Sequence, residues 1–121
     1  MSETDKNDPN SKESYLAEPK DGEGYYERGW THYAKKEHNL AEADYRKALE
    51  FSPDNPDIYY ALGLTLQASG RQQEAIQAFE KVLQLLKTLE VKPELRDRAL
   101  MLTRLSNGHI NRMKTGDWNL K

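Results

Sequence analysis

The residues best suited to bind a metal or to transfer a proton are three histidines, His32, His38 and His109. They fall on different predicted helices or turns, and their spacing is not that of metal ligands. The chain has no cysteine, so a disulfide framework and a thiolate metal site are both excluded. Neither a glycine-rich phosphate-binding loop nor a nucleophile elbow occurs in the sequence. We therefore expect a protein that is not an enzyme and that uses no metal or other cofactor.

Composition sets the size of the fold and the expected location of the protein. The chain has 121 residues, the size of one domain, and 36% of them are hydrophobic while 31% are charged. This balance suits a thin helical array better than a compact globule. The first 20 residues are polar, and no apolar run approaches the ~18 residues of a membrane span. We expect a cytoplasmic protein without a membrane partner.

The charge distribution argues against nucleic acid as a partner. The formal net charge is −2, which opposes binding to phosphates. Only the last predicted helix is basic, and its cationic side chains are dispersed around it: Arg96, Arg98, Arg104, Arg112 and Lys114.

An internal repeat is the strongest structural signal in the chain. Two stretches align at a separation of 34 residues, and a period of this length indicates a two-helix unit that stacks on its copy. Gly29 and Gly63 are expected to let the two helices of each unit cross closely, opposite the small residues Ala41 and Ala75. The aligned pairs are Tyr25/Tyr59, Tyr26/Tyr60, Gly29/Gly63, Ala41/Ala75, Tyr45/Phe79, Lys47/Lys81, Leu49/Leu83 and Phe51/Leu85.

Capping and turn residues predict the limits of the first three helices. The first runs over about 23–36. Asn39 is a candidate N-cap with Glu42 in capping-box spacing, and this second helix runs to about residue 51. Asn55 and Pro56 predict the start of a third helix, which ends at Gly70.

Two further helices follow. The fourth covers about 72–89, and the fifth begins near Pro93 and runs to about residue 115, with a possible break near Gly108. Residues 1–21 have few apolar side chains and are predicted to be a disordered tail. The predicted apolar stripes are Ala75, Ile76, Phe79, Val82, Leu83 and Leu86 on the fourth helix, and Leu95, Ala99, Leu102, Ser106, Ile110 and Met113 on the fifth.

The repeated segments resemble tetratricopeptide repeats. The second unit reads Tyr59-x2-Leu62-Gly63-x2-Leu66 and then Ala75-x3-Phe79, and the first reads Tyr25-x2-Arg28-Gly29-x2-His32, then Ala41-x3-Tyr45 and Pro53. The resemblance implies an all-α solenoid of antiparallel helix pairs. It would have two full repeats (22–55 and 56–89) and a long C-terminal capping helix, five helices in all, within a domain of residues 22–121. Arg28 and His32 depart from the family's apolar and aromatic positions, and we expect them to weaken the packing of the first helix at the end of the array.

The resemblance also implies a concave groove, lined by the first helix of each unit, that binds a peptide or protein segment. Transferred residue by residue, the groove set is Glu23, Tyr26, Trp30, Tyr33 and Ala34 from the first unit, and Asp57, Tyr60, Leu64, Gln67 and Ala68 from the second.

Several readings of this surface stay open. Trp30 and Tyr33 either line the groove or pack as core. The clamp that some family members form around a chaperone's C-terminal carboxylate is not expected, because Tyr26, Trp30 and Ala61 stand at positions where it needs lysine or asparagine. The expected function is that of an adaptor or scaffold module. The alternatives are a homodimer or larger homo-oligomer, and a chaperone for a secreted or membrane-assembled substrate.

Overall fold

The computed structural model describes residues 18–88 and 92–116, and five α-helices lie within these ranges. Helices α1 and α2 pack on each other, as do α3 and α4, while α2 also packs on α3 and α4 on α5. This arrangement confirms the predicted all-α solenoid of helix pairs. The predicted disordered tail lies mostly outside the described residues and stays a prediction. The helices are α1 (Gly22–Ala34), α2 (His38–Phe51), α3 (Pro56–Ala68), α4 (Gln72–Thr88) and α5 (Arg96–Thr115), with a 3₁₀ turn at Pro93–Leu95 before α5.

The two first helices of the repeats begin with side-chain caps. Asp21 accepts a hydrogen bond of 2.8 Å from the backbone N–H of Gly24 at the start of α1. Asn55 accepts one of 2.9 Å from the N–H of Asp57, and Pro56 occupies the first turn of α3, as predicted.

The predicted cap of α2 is wrong. The helix begins at His38 with Glu37 at the N-cap position, so Asn39 lies inside the helix, and no side chain caps this end. Glu42, predicted to complete a capping box, accepts hydrogen bonds from Arg46 at 2.9 Å and from Arg71 at 2.5 Å. The start of α2 is set by the way in which α1 ends.

Helices α1 and α3 end in the same backbone motif, 34 residues apart. Lys36 has a φ of 64° and Gly70 a φ of 79°, both in the left-handed region. The N–H of the next residue donates a hydrogen bond to the carbonyl oxygen five residues before it. These bonds join Glu37 to His32 and Arg71 to Leu66, each at 2.9 Å. These bonds define a Schellman motif, which favours glycine at the left-handed position. The first repeat has a lysine there.

The glycine that the two repeats share lies, in each repeat, under an aromatic ring of the paired helix. A Cβ placed on Gly29 would come within 2.5 Å of the Tyr45 ring, and one on Gly63 within 2.7 Å of the Phe79 ring. The predicted close crossing is therefore present in both repeats. The nearest groups are the two rings rather than the alanines we expected. Tyr45, Phe79, Ala41 and Ala75 are all fully buried.

The predicted stripes of α4 and α5 are largely confirmed. On α4, Ala75, Ile76, Phe79 and Val82 are buried, while Leu83 and Leu86 are half-buried. On α5, Leu102, Ser106 and Ile110 are buried, and the helix is continuous past Gly108. Leu95 was wrongly placed in the stripe. It lies in the 3₁₀ turn and is 50% exposed, because the α-helical register begins only after it.

We expected Arg28 and His32 to weaken the packing of α1. In the structure they instead bind α2. Arg28 donates two hydrogen bonds of 2.8 Å from Nε and Nη2 to the two carboxylate oxygens of the buried Asp44. His32 lies 3.6 Å from the same carboxylate through Nε2 and 2.7 Å from Glu37 through Nδ1. A bidentate pair of this geometry holds the two helices together where an apolar contact was expected. We call Arg28, His32 and Asp44 the charged end.

The second repeat has apolar residues at the same three positions. Leu62, Leu66 and Ala78 stand 34 residues after Arg28, His32 and Asp44. They line a cavity of about 350 Å³ together with Arg46 of α2, so they face the first repeat. By the equivalence of the repeats, the charged end lies on the side of the first repeat that faces away from the second.

Candidate peptide-binding groove

Apart from Ala34 and Ala68, which are the exposed last residues of α1 and α3, the predicted groove residues occupy one face of α1 and the matching face of α3. Within each helix they follow the spacing i, i+3, i+7, i+10, which aligns them along the helix axis. Helices α1 and α3 also touch each other directly. Glu23 is exposed and the other seven side chains are half-buried, so each retains surface for a ligand. The set is Glu23, Tyr26, Trp30 and Tyr33 on α1, and Asp57, Tyr60, Leu64 and Gln67 on α3.

Trp30 lies at the centre of an aromatic cluster in the first repeat. Its ring meets Tyr33 edge-on with the centroids 5.4 Å apart, and meets Tyr26 edge-on at 6.1 Å. Beneath it, Tyr45 of α2 lies at 6.0 Å, seated on Gly29. Such edge-to-face contacts fix the ring orientations. Trp30 thus packs on the core with one side and stays half-exposed on the other, so the groove and core alternatives are not exclusive in this structure.

Burial shifts the acidity of the cluster's phenol. Desolvation raises the pKa of Tyr45, and the neighbouring Tyr26 and Tyr33 act in the same direction. The phenol therefore stays neutral at physiological pH, and the cluster presents no charge to a ligand.

In the second repeat Tyr60, which stands at the position of Tyr26, contacts α5. Tyr60 packs on Phe79 with the centroids 5.5 Å apart, and its hydroxyl lies 3.1 Å from Nε2 of His109. The His109 ring stacks on Phe79 at 4.6 Å with an interplanar angle of 5°. Burial lowers the pKa of His109 and raises that of Tyr60, so both groups are neutral near pH 7. Helix α5 therefore borders the groove at Tyr60, a contact that the sequence did not reveal.

The two acidic groove residues differ in their surroundings. Asp57 accepts a hydrogen bond of 2.8 Å from Nη2 of Arg98 on α5. Glu23 forms no ion pair within residues 18–88 and 92–116. The groove is therefore less acidic than its sequence suggests, and its free carboxylate lies at the first turn of α1.

Cationic groups do not occupy the clamp positions. Tyr26 and Trp30 present aromatic rings, and Ala61 is fully buried. In the part of the chain that the structure describes, no cluster of three or more His, Cys, Asp or Glu side chains is placed to hold a metal ion. Within the same ranges, the helices are too short or too polar to cross a membrane.

Comparison with known proteins identifies the repeats. The family described as TPR repeat matches residues 29–70, and the family described as tetratricopeptide repeat matches residues 56–89. A mouse protein, DnaJ homolog subfamily C member 7 (Mus musculus), is 37% identical over 57 residues, which is 47% of this chain and 12% of that protein. The chain thus matches only a small part of this relative's length. No solved structure matches the chain.

Proposed function

Because the chain belongs to the tetratricopeptide repeat family, we propose that it acts as an adaptor that binds an extended segment of a partner protein in the groove of α1 and α3. Members of this family are generally scaffolds for protein interaction and not catalysts, and this chain is a protein-interaction module. The groove, its residues and the adaptor role are our proposal.

The aromatic cluster around Trp30 is the observation that carries the proposal. Tryptophan and tyrosine are enriched among residues that dominate binding energy at interfaces, since they bury a large area and keep a polar group. Trp30 is already held by Tyr26, Tyr33 and Tyr45, so binding costs little additional side-chain entropy. A rigid, half-exposed, uncharged ring cluster suits an apolar side chain of the ligand.

The second repeat favours contact with the ligand backbone. Leu64 and Gln67 stand at the positions of Trp30 and Tyr33, and they offer a small apolar surface and an amide group. An amide can both donate to and accept from a peptide backbone. We therefore propose a ligand whose apolar anchor lies on α1 and whose extended backbone runs past α3. The similarity to the mouse DnaJ homolog covers repeats only, so its partners are not transferred to this chain.

Selection from a displayed peptide library, followed by affinity measurement, tests the proposal. Trp30→Ala should weaken the selected peptides by about 2 kcal/mol, roughly thirtyfold, as expected for an aromatic hot spot. Leu40→Ala is the matched control, since Leu40 is 52% exposed on α2, outside the groove set.

Stability measured on the same samples separates binding from folding. Trp30→Leu keeps an apolar side chain at this position, the one that the second repeat has at Leu64, and the variant should fold while losing affinity. A Trp30→Leu protein that is stably folded and binds the selected peptides as tightly as the wild type would contradict the proposal.

A further inference from the structure

The outer face of α5 is apolar at its centre and charged at its two ends. Leu100 is 56% exposed and Met101 is 47% exposed. With Asp97, Arg104 and Leu105 they line a shallow groove of about 410 Å³, at the spacing i, i+3, i+4, i+7, i+8 of one helix face. We call these five residues the α5 patch. None of them belongs to the peptide groove set.

The patch has the wrong chemistry for a helix face that contacts only water. Such a face of an amphipathic helix normally carries charged and polar side chains. Here the buried side of α5, including Leu102, Ser106 and Ile110, packs the array, and the opposite side still exposes Leu100 and Met101. An apolar strip between charges is typical of a surface that pairs with another protein.

The two charged residues of the patch are placed so that each can pair with the opposite charge of a second copy. Asp97 and Arg104 are exposed, and neither forms an ion pair within residues 18–88 and 92–116. They are separated by two helical turns, about 10 Å along the axis, which is too far for them to bind each other. In an antiparallel pair of α5 helices with a two-fold axis between Leu100 and Met101, Asp97 lies opposite Arg104 of the partner subunit. The reciprocal pair forms by symmetry, and Leu100 meets Met101 across the axis.

From this self-complementarity we propose that the chain forms a two-fold symmetric homodimer through antiparallel contact of the α5 patches. An isologous interface of this kind uses one surface on both subunits, so two salt bridges flank one apolar centre. The contact is one helix wide, which places it among small and therefore weak, concentration-dependent interfaces. The dimer uses none of the groove residues, so the proposal of a dimer is independent of the proposal of peptide binding.

Charge reversal in the full-length chain tests the dimer by sedimentation equilibrium up to about 1 mM. Asp97→Arg and Arg104→Asp each place like charges opposite each other twice, and each should weaken dimerisation by about tenfold or more. The double variant carrying both changes restores two opposite-charge pairs, and it should dimerise within about threefold of the wild type. Asp54→Arg makes the same charge change in an exposed turn and should leave the equilibrium unchanged.

The outcomes separate the proposal from its alternatives. A wild-type chain that is monomeric over the whole concentration range overturns the dimer. A dimer that is insensitive to both reversals has a different interface. A double variant that stays as weak as the single ones overturns the antiparallel register. Circular dichroism of each variant checks folding, which these exposed positions should leave intact.

Discussion

The ion pair of Arg28 and Asp44 can be rebuilt with the residues of the second repeat. Arg28→Leu introduces the residue found at position 62, and Asp44→Ala the residue found at position 78. The single variants each break the pair, and the double variant replaces it with the apolar contact that α3 and α4 already use. The resulting double-mutant cycle measures the coupling between the two side chains.

The two single variants should differ in cost. Arg28→Leu strands the carboxylate of Asp44, whose side chain is 7% exposed, with the His32 ring 3.6 Å away. Because Arg28 keeps 18% of its side chain exposed, this variant should lose less free energy of unfolding than one that breaks a fully buried pair. We expect a loss of about 2–3 kcal/mol. Asp44→Ala leaves the guanidinium with Glu18 at 3.5 Å and access to water. It should cost less, about 1–2 kcal/mol.

The double variant should be within about 1 kcal/mol of the wild type, because replacing a paired buried charge by apolar residues of fitting shape is often neutral. The free energy of unfolding, measured by urea denaturation, gives all four corners of the cycle. The exposed pair of Lys47 and Glu50, with side chains 46% and 66% exposed, is the control. Its coupling should be below about 0.5 kcal/mol. A similarly small coupling between Arg28 and Asp44 would refute the buried contact that we describe.

Two further predictions concern a helix end and a half-buried histidine. Lys36→Gly should raise the free energy of unfolding by about 0.5–1 kcal/mol, because glycine adopts the left-handed backbone without the strain of a side chain. Gly70→Lys should lower it by about 1 kcal/mol. A loss of stability in Lys36→Gly, measured by urea denaturation, would contradict the motif. Since burial lowers the pKa of His109 in the folded state, the unfolded chain binds the proton first as pH falls below about 6.5, and stability should fall there. His109→Phe should reduce that pH dependence, and equal slopes of unfolding free energy against pH in both proteins would show that His109 does not cause it.

The repeat period predicted the contacts that both units share. The glycines at positions 29 and 63 lie against the next helix as expected, and Asn55, Pro56 and Gly70 mark the ends of α3. These features depend on local backbone requirements, which short sequence patterns express directly. Asn39 shows the limit of that approach. Its spacing to Glu42 fits a capping box, but after the left-handed turn at Lys36 helix α2 begins two residues too early for Asn39 to cap it.

The charged end was missed because its partners are distant in sequence. Arg28 and Asp44 are 16 residues apart, and only the hairpin of α1 and α2 brings them together. A signal was present, since Arg28, His32 and Asp44 are polar where Leu62, Leu66 and Ala78 are apolar. Three coordinated departures at matching repeat positions indicate a shared site.

The contacts of α5 with the groove had no comparable signal. The repeat period is lost after residue 89, so no matching position in another unit pointed to His109 or Arg98. Their approach to Tyr60 and Asp57 follows from the way α5 packs on α4, which helix periodicity alone does not specify.

The chemical difference between the two ends of the array determines how it can be extended. Stacking the α5 patch of one copy on the charged end of the next would bury the part of Arg28 that still contacts water, 18% of its side chain, against Leu100 and Met101 without a new polar partner. The two ends therefore do not match as apolar surfaces, which is the condition under which open-ended fibres are a hazard. An engineered helix added to the protein can pack on the α5 patch, whose surface is already apolar. A new repeat in front of α1 would first require leucine, leucine and alanine in place of Arg28, His32 and Asp44.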